Sequence, residues 1–364
     1  MTKKILLLAM AAMAMASCSK DETTSINQGK GISFRTSADK ITRGTEINND
    51  NIEDIYVTAL DKNGANLFAN QLFHKEENGV FSSTPLYYWP SDGSDLKFHA
   101  YAPEAAAIGG TLSFSLGKNN MLTGFSPAGE INDQVDFIYA TETGNKDDEA
   151  DGVRLTFDHM LSQVSINAKN TNTGYIYKVK GVKIAKPISK GNLDFDKVAT
   201  DKGNAWSWEA DKAVYKVTYE TERTLSETAQ TLMAADKNHA MLIPQQLVAW
   251  DGDSDPKNEN ENAYLAVLVN ITTVAGAQVY PHTAGEYGWA AVGIPTKWEM
   301  GQHYVYTLDF SDGAGKVDPE TPEPTDPDDP FDPGDDILGG AIKFTVKVND
   351  WQPEGGLNEE IPLK

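Results

Sequence analysis

Hydrophobic and polar residues alternate with period two along most of the chain, in short runs separated by Gly, Asn, Asp and Pro. Ile32 and Phe34 alternate with Ser33 and Arg35. Residues 51–60 read as a strand apolar on both faces, closed by the turn Asp61-Lys62-Asn63-Gly64. Leu96, Phe98 and Ala100 oppose Lys97, His99 and Tyr101, and residues 134–140 read as a short mixed strand. The alternation resumes at Val153, Leu155 and Phe157, at Val164 and Ile166, over 175–184, at Tyr215, Val217 and Tyr219, and at Tyr304, Tyr306, Leu308 and Phe310. Residues 263–271 are apolar on both faces, which places them centrally in a sheet. Only residues 226–235 read as helical.

This inventory predicts an all-β chain of two β-sandwich domains, 31–150 and 151–317, divided at an acidic Gly-containing stretch. Residues 318–336 hold six prolines, nine acidic residues and no Lys or Arg. Fixed φ angles and like charges predict an extended linker there. Beyond it, in 337–364, Ile342, Phe344, Val346 and Val348 alternate with Lys343, Thr345, Lys347 and Asn349. A strand cannot stand alone, so this one either closes its own domain or enters another molecule.

Residues 1–17 read as an export segment, with Lys3 and Lys4, a short apolar run, and the small residues Ala14, Ala16 and Ser17 ahead of Cys18, the only cysteine. Met15-Ala16-Ser17-Cys18 resembles the lipobox of bacterial lipoproteins, in which Cys18 would carry the lipid; the alternative is a plain secretory signal with an incidental cysteine. Acyl chains contribute about 0.8 kcal/mol per buried CH₂, enough for a stable membrane anchor on a polar tether over 18–30. Losing Lys3 and Lys4 with the leader takes the formal charge from −22 to about −24, a surface that repels nucleic acid.

Catalytic constellations are missing from the sequence. Six scattered histidines lack metal spacing, no Gly-rich phosphate loop follows a strand, and no cofactor or metal is expected. Asp251-Gly252-Asp253-Ser254-Asp255 opens like a calcium loop, but Pro256 and Asn262 occupy its turn-glycine and closing-glutamate positions, so a solvated acidic loop is the competing reading. Trp206, Trp208, Trp289 and Trp298 could stack on sugar rings or simply fill a core. Arg43, one of four arginines, lies with Gly44 in a polar segment between strand-like runs. It reads either as an ordinary loop arginine or as a protease cleavage point. Cleavage would free the Ile32–Phe34 strand and open a groove for strand addition, with residues 342–348 as candidate donor.

The ordered motifs resemble the fimbrillin family, subunits of type V pili of Gram-negative anaerobes. Thr42-Arg43-Gly44, Tyr88-Trp89-Pro90, residues 98–103 and 153–162, Ile243-Pro244-Gln245, residues 301–306 and Val348-Asn349-Asp350-Trp351 carry that resemblance. It implies transthyretin-like sandwiches, an outer-membrane lipoprotein, cleavage by an arginine-specific protease at Arg43, and a fimbrium built by strand exchange among pilus subunits. A monomeric surface lipoprotein or tip adhesin for glycan or host protein is the alternative.

Overall fold

The computed structural model describes residues 29–36, 47, 51–117, 119–233, 239–255, 260–350 and 359–361. Cys18, Arg43 and Gly44 lie outside them. Strands dominate, as the period-two pattern requires.

The chain opens with β1 (Phe34–Thr36), β2 (Asp54–Leu60), β3 (Asn66–Lys75), β4 (Phe81–Ser82) and β5 (Leu96–Ala102). A hairpin of β6 (Thr111–Ser113) and β7 (Met121–Phe125) follows, then β8 (Ile138–Gly144), β9 (Val153–Leu155) and β10 (Asp158–His159). All but the hairpin form one eight-stranded sheet in the order β10-β8-β5-β2-β3-β4-β1-β9. The sheet curls strongly. Phe34 on β1 lies four strands from β5, yet its ring is 5.1 Å from that of Phe98. One face therefore closes on itself around Val57, Phe73, Phe81, Phe98 and Leu155, all fully buried.

The second half supplies β11 (Ser162–Lys169), β12 (Tyr175–Ile188), β13 (Gly191–Asp194), β14 (Trp206–Trp208), β15 (Lys212–Thr224), β16 (Gln230–Thr231) and β17 (Ala240–Leu242). It continues with β18 (Tyr264–Thr273), β19 (Gln278–Tyr280), β20 (Gly288–Gly293), β21 (Gln302–Asp309), β22 (Lys316–Val317), β23 (Lys343–Asp350) and β24 (Glu359–Ile361). Two sheets, β16-β11-β21-β23-β24 and β15-β12-β18-β20-β22, face each other across one core. Val164, Ile166, Tyr306 and Leu308 from one sheet meet Val179, Val182, Val267 and Val269 from the other. β18 is buried on both faces, since Tyr264 and Ala266 pack into a separate cluster with Trp250 on its other side.

A small sheet, β14-β13-β7-β6, joins the two halves. Tyr101 and Tyr139, on the outer face of the curled sheet, share a core with Leu122, Phe125, Leu193 and Trp206. The apolar second face of β5 and β8 thus finds its cover in strands from both halves of the chain.

Several expectations need correction. Val153 and Leu155 do not open the second sandwich; they pair in parallel with β1 in the first sheet. Ladder pairing over 134–140 begins only at Ile138: a 3-10 turn at Ile131–Asp133 precedes the segment, and Gln134 accepts from the Met241 N–H (2.7 Å). Residues 226–235 hold no helix among those described. Gln230 and Thr231 pair with Ala168 and Asn167 at a sheet edge, and Leu232 and Met233 point into the core. The acidic stretch 318–336 is not an extended spacer. Asp318 is fully buried, ion-paired with Lys183 of β12 and hydrogen-bonded by the Tyr264 hydroxyl (2.9 Å). The chain then doubles back, the Gly334 N–H reaching the Val317 carbonyl and Phe331 packing edge-on against Tyr280. Lysines of the neighbouring sheet neutralise the first acidic residues, with Lys186 pairing Glu320, and this outweighs their mutual repulsion.

Candidate functional site

β1 sits between β4 and β9 and is held by very little backbone. Phe34 pairs with Phe81 across the antiparallel side, and Phe34, Arg35 and Thr36 pair with Val153, Arg154 and Leu155 across the parallel side. Upstream, Ile32 donates to the Tyr87 carbonyl (2.7 Å) and Ser33 accepts from the Val153 N–H (2.9 Å). The Arg35 Nε donates to the Asp151 carbonyl (2.6 Å). Gly152, at φ +79°, turns the chain beside Ser33, where any side chain would be both strained and crowded.

Side chains hold β1 more firmly than the ladder does. Ile32 and Phe34 are both 0% exposed. Phe34 meets Phe73 and Phe98 edge-on, with ring centroids 4.9 and 5.1 Å away. Burial of two such side chains contributes roughly 3–6 kcal/mol. Removing β1 would uncover an apolar slot floored by Phe73 and Phe98, with unpaired edges on β4 and β9. That is a template for an incoming strand.

On the far side of the segment containing Arg43 and Gly44, the chain is pinned again. The Ile47 N–H donates to the buried Asp136 carboxylate (2.9 Å), which also bonds His159 Nδ1 (3.0 Å). Ile47 packs against the same core that holds Phe34. Arg43 therefore belongs to a stretch joining two fixed points, one on β1 and one at Ile47. The other three arginines, Arg35, Arg154 and Arg223, all lie within β-ladders.

The C-terminal strand is seated in its own sheet. β23 runs antiparallel to β21, with eight pairs from Gln302↔Asp350 to Asp309↔Lys343, and β24 covers its other edge. Ile342 and Val346 are buried, while Phe344 and Val348 are half-buried against the same core. His303 of β21 lies opposite Asn349 and bonds Ser165 (2.8 Å). Burial and the neighbouring His239 push its pKa down to about 4.

One relation was not read from the sequence. Gly31-Ile32-Ser33-Phe34-Arg35-Thr36 and Ala341-Ile342-Lys343-Phe344-Thr345-Val346 share a small residue, then Ile-x-Phe, then a β-branched residue at the same spacing. The segments leading into β1 and into β23 thus carry the same side-chain order.

The tryptophans divide. Trp206, Trp208 and Trp298 converge on one cavity of about 410 Å³, whereas Trp289 lies elsewhere, beside Lys183. In the acidic loop, Asp251 and Asp255 are tied up by the loop's own donors and Asp253 pairs with Lys316. Among the described residues no group of three or more His, Cys, Asp or Glu is placed to hold a metal ion.

Comparison with known proteins bears on the whole chain. The family model described as Fimbrillin-like matches residues 40–351. No curated relative matches the chain. A fimbrial protein from Bacteroides vulgatus has a similar structure at 17% identity and TM-score 0.53, covering 89% of this chain and 100% of that one. Putative cell adhesion proteins from Bacteroides ovatus (17% identity, TM-score 0.46, 90% and 99% covered) and Bacteroides uniformis (16%, 0.44, 90% and 99%) also align. The all-β fold and the match over residues 40–351 lead to one conclusion: this chain belongs to the fimbrillin-like family.

Proposed function

We propose that this protein is a structural subunit of a cell-surface fimbrium that polymerises by donor-strand exchange and contributes to adhesion. The observation that carries the reading is β1 with its lead-in: a three-residue strand whose Phe34 is fully buried, preceded by the equally buried Ile32, and joined to the body through the segment that holds Arg43. Export as a lipoprotein on Cys18 places the subunit at the outer membrane. An arginine-specific protease then cuts between Arg43 and Gly44. Ile47 keeps the new terminus docked on Asp136 while β1 leaves. A strand bearing Ile342, Phe344, Val346 and Val348 from a neighbouring subunit fills the vacated groove, with Phe344 in the place of Phe34 and Ile342 in that of Ile32. In the free subunit the same strand closes its own domain, so donation requires it to detach from β21. Kinetic stability of the polymer follows from a hydrogen-bonded inserted strand with alternate side chains in pockets.

Digestion of a chain beginning at Ser19 with an arginine-specific protease, followed by mass spectrometry and electron microscopy, tests this. Cutting confined to Arg43 with filaments appearing is the expected result. An intact Arg43, or filaments that form equally well after deletion of residues 341–364, would remove the maturation step or the donor assignment respectively.

A second reading, a monomeric surface lipoprotein or tip subunit that binds a ligand directly, is favoured by the tryptophan-lined cavity.

A further inference from the structure

We propose that the cavity at Trp208 is a binding site for a neutral saccharide, one sugar ring stacking on the Trp208 face. The site is distinct from the β1 groove; it deepens the ligand-binding reading and does not depend on strand exchange.

Three indoles build the cavity, and only one offers its surface. Trp206 is 4% exposed and donates its Nε1–H to the Met160 carbonyl (2.8 Å). Trp298 is 1% exposed and donates to the Tyr306 hydroxyl (3.0 Å). Both are spent inside the protein and form a rigid floor. Trp208, at the outer end of β14, is 46% exposed. Its Nε1–H is fixed on the Pro244 carbonyl (2.8 Å), so the ring keeps one orientation and presents its face without further loss of side-chain entropy. A large, locked, half-exposed aromatic beside a concavity is suited to the C–H face of a pyranose.

The rim supplies acceptors for hydroxyl groups. Gln246 spends its amide N–H on the Leu247 and Pro295 carbonyls (3.0 and 2.8 Å), Gln302 on Asp350 (2.9 Å), and Asn204 on Asp201 (2.9 Å). Among the described residues none of the three side-chain carbonyl oxygens accepts a hydrogen bond, so each remains open to a hydroxyl donor. The charges are already matched. Lys297 pairs with Glu299 (2.7 Å) and Lys202 with Asp158 (2.9 Å). With no surplus positive charge, the cavity favours a neutral ligand over a sialylated or sulfated one. Its size, about 410 Å³, lies in the range of small-ligand sites.

The test uses the uncleaved full chain. Neutral galactose-, glucose- and mannose-terminated oligosaccharides, with sialylated and sulfated ones beside them, are screened on an array and then titrated by calorimetry and tryptophan fluorescence. Binding of a neutral sugar at millimolar concentration or below, weakened on the order of tenfold or more by Trp208→Ala and less by Trp208→Phe, is expected. Gln246→Ala, which keeps the aromatic platform, should also weaken it. Circular dichroism and polymerisation after cleavage should be unchanged in Trp208→Phe, which separates this site from strand exchange. No neutral sugar bound, only anionic glycans bound, or binding indifferent to both Trp208→Phe and Gln246→Ala would overturn the proposal.

Discussion

β1 and β23, each with the residues that lead into it, share an Ile-x-Phe order but are held in opposite ways. β1 has three parallel pairs and one antiparallel pair, and its Phe34, with Ile32 just upstream, is sunk completely into the core. β23 has eight pairs along one neighbour, with Phe344 and Val348 only half-buried. Stability in the first case comes from pockets, in the second from the ladder. A strand held by pockets leaves a shaped vacancy when cut away. A strand held by its ladder can exchange one edge for another, because backbone pairing is independent of sequence while the alternating side chains decide where it fits.

The sharpest way to probe this contrast is to truncate Phe34. Phe34→Ala removes a fully buried ring and should cost about 3–5 kcal/mol in urea unfolding of the intact chain. The same substitution should be silent once the protein has been cut at Arg43 and has lost β1. Breaking the anchor of the acidic stretch is next. Asp318→Ala leaves Lys183 charged and buried without its partner, a loss of about 3 kcal/mol or more. A cost near zero would mean that the return path of 318–336 does not depend on that pair.

Acid should strain both halves together. His99, in the curled sheet, is held near pKa 4 by burial and Lys97; His303, under β23, is held near 4 by burial and His239. Both lie below the ordinary histidine value near 6.5. Between these limits the unfolded chain binds protons that the folded chain refuses, so stability falls as pH drops from about 6.5 toward 4. Each histidine can contribute up to about 3 kcal/mol to that loss. A midpoint of denaturation flat across the window would contradict it. Smaller still is Phe344→Ala, expected to cost the monomer about 1–2 kcal/mol in urea unfolding, since the side chain is only half-buried. The exposed Lys343–Asp312 pair sets the floor: Lys343→Ala should leave the urea midpoint unchanged within error.

Alternation made most strands legible, including central β18, because sheet burial imposes period two directly on side-chain chemistry. What escaped the sequence was pairing between distant segments. Nothing in Val153-Arg154-Leu155 distinguishes a strand that opens the second half from one that closes on β1. The β6–β7 hairpin and β13–β14 each look like surface pieces until they meet across the second face of β5 and β8. The acidic stretch read as a spacer because its composition hides one decisive residue, Asp318, whose partner Lys183 is distant in sequence. Among the tryptophans, sequence position could not tell Trp208, held at the surface, from Trp206, which is buried two residues earlier although period two puts both on one face of β14. The Ile-x-Phe correspondence between β1 and β23 was readable from the first, but its meaning depended on seeing that β1 fills a slot.

The central claim is that β23 of one subunit takes the place of β1 in another, in the same register. Phe34 faces Phe81 across β4, so Phe344 should face Phe81 after exchange. In a chain beginning at Ser19 and carrying Phe81→Cys and Phe344→Cys, oxidation after cleavage at Arg43 should yield a ladder of disulfide-linked oligomers, and oxidation before cleavage should yield none. Filaments that assemble without forming that crosslink would contradict the exchange described here.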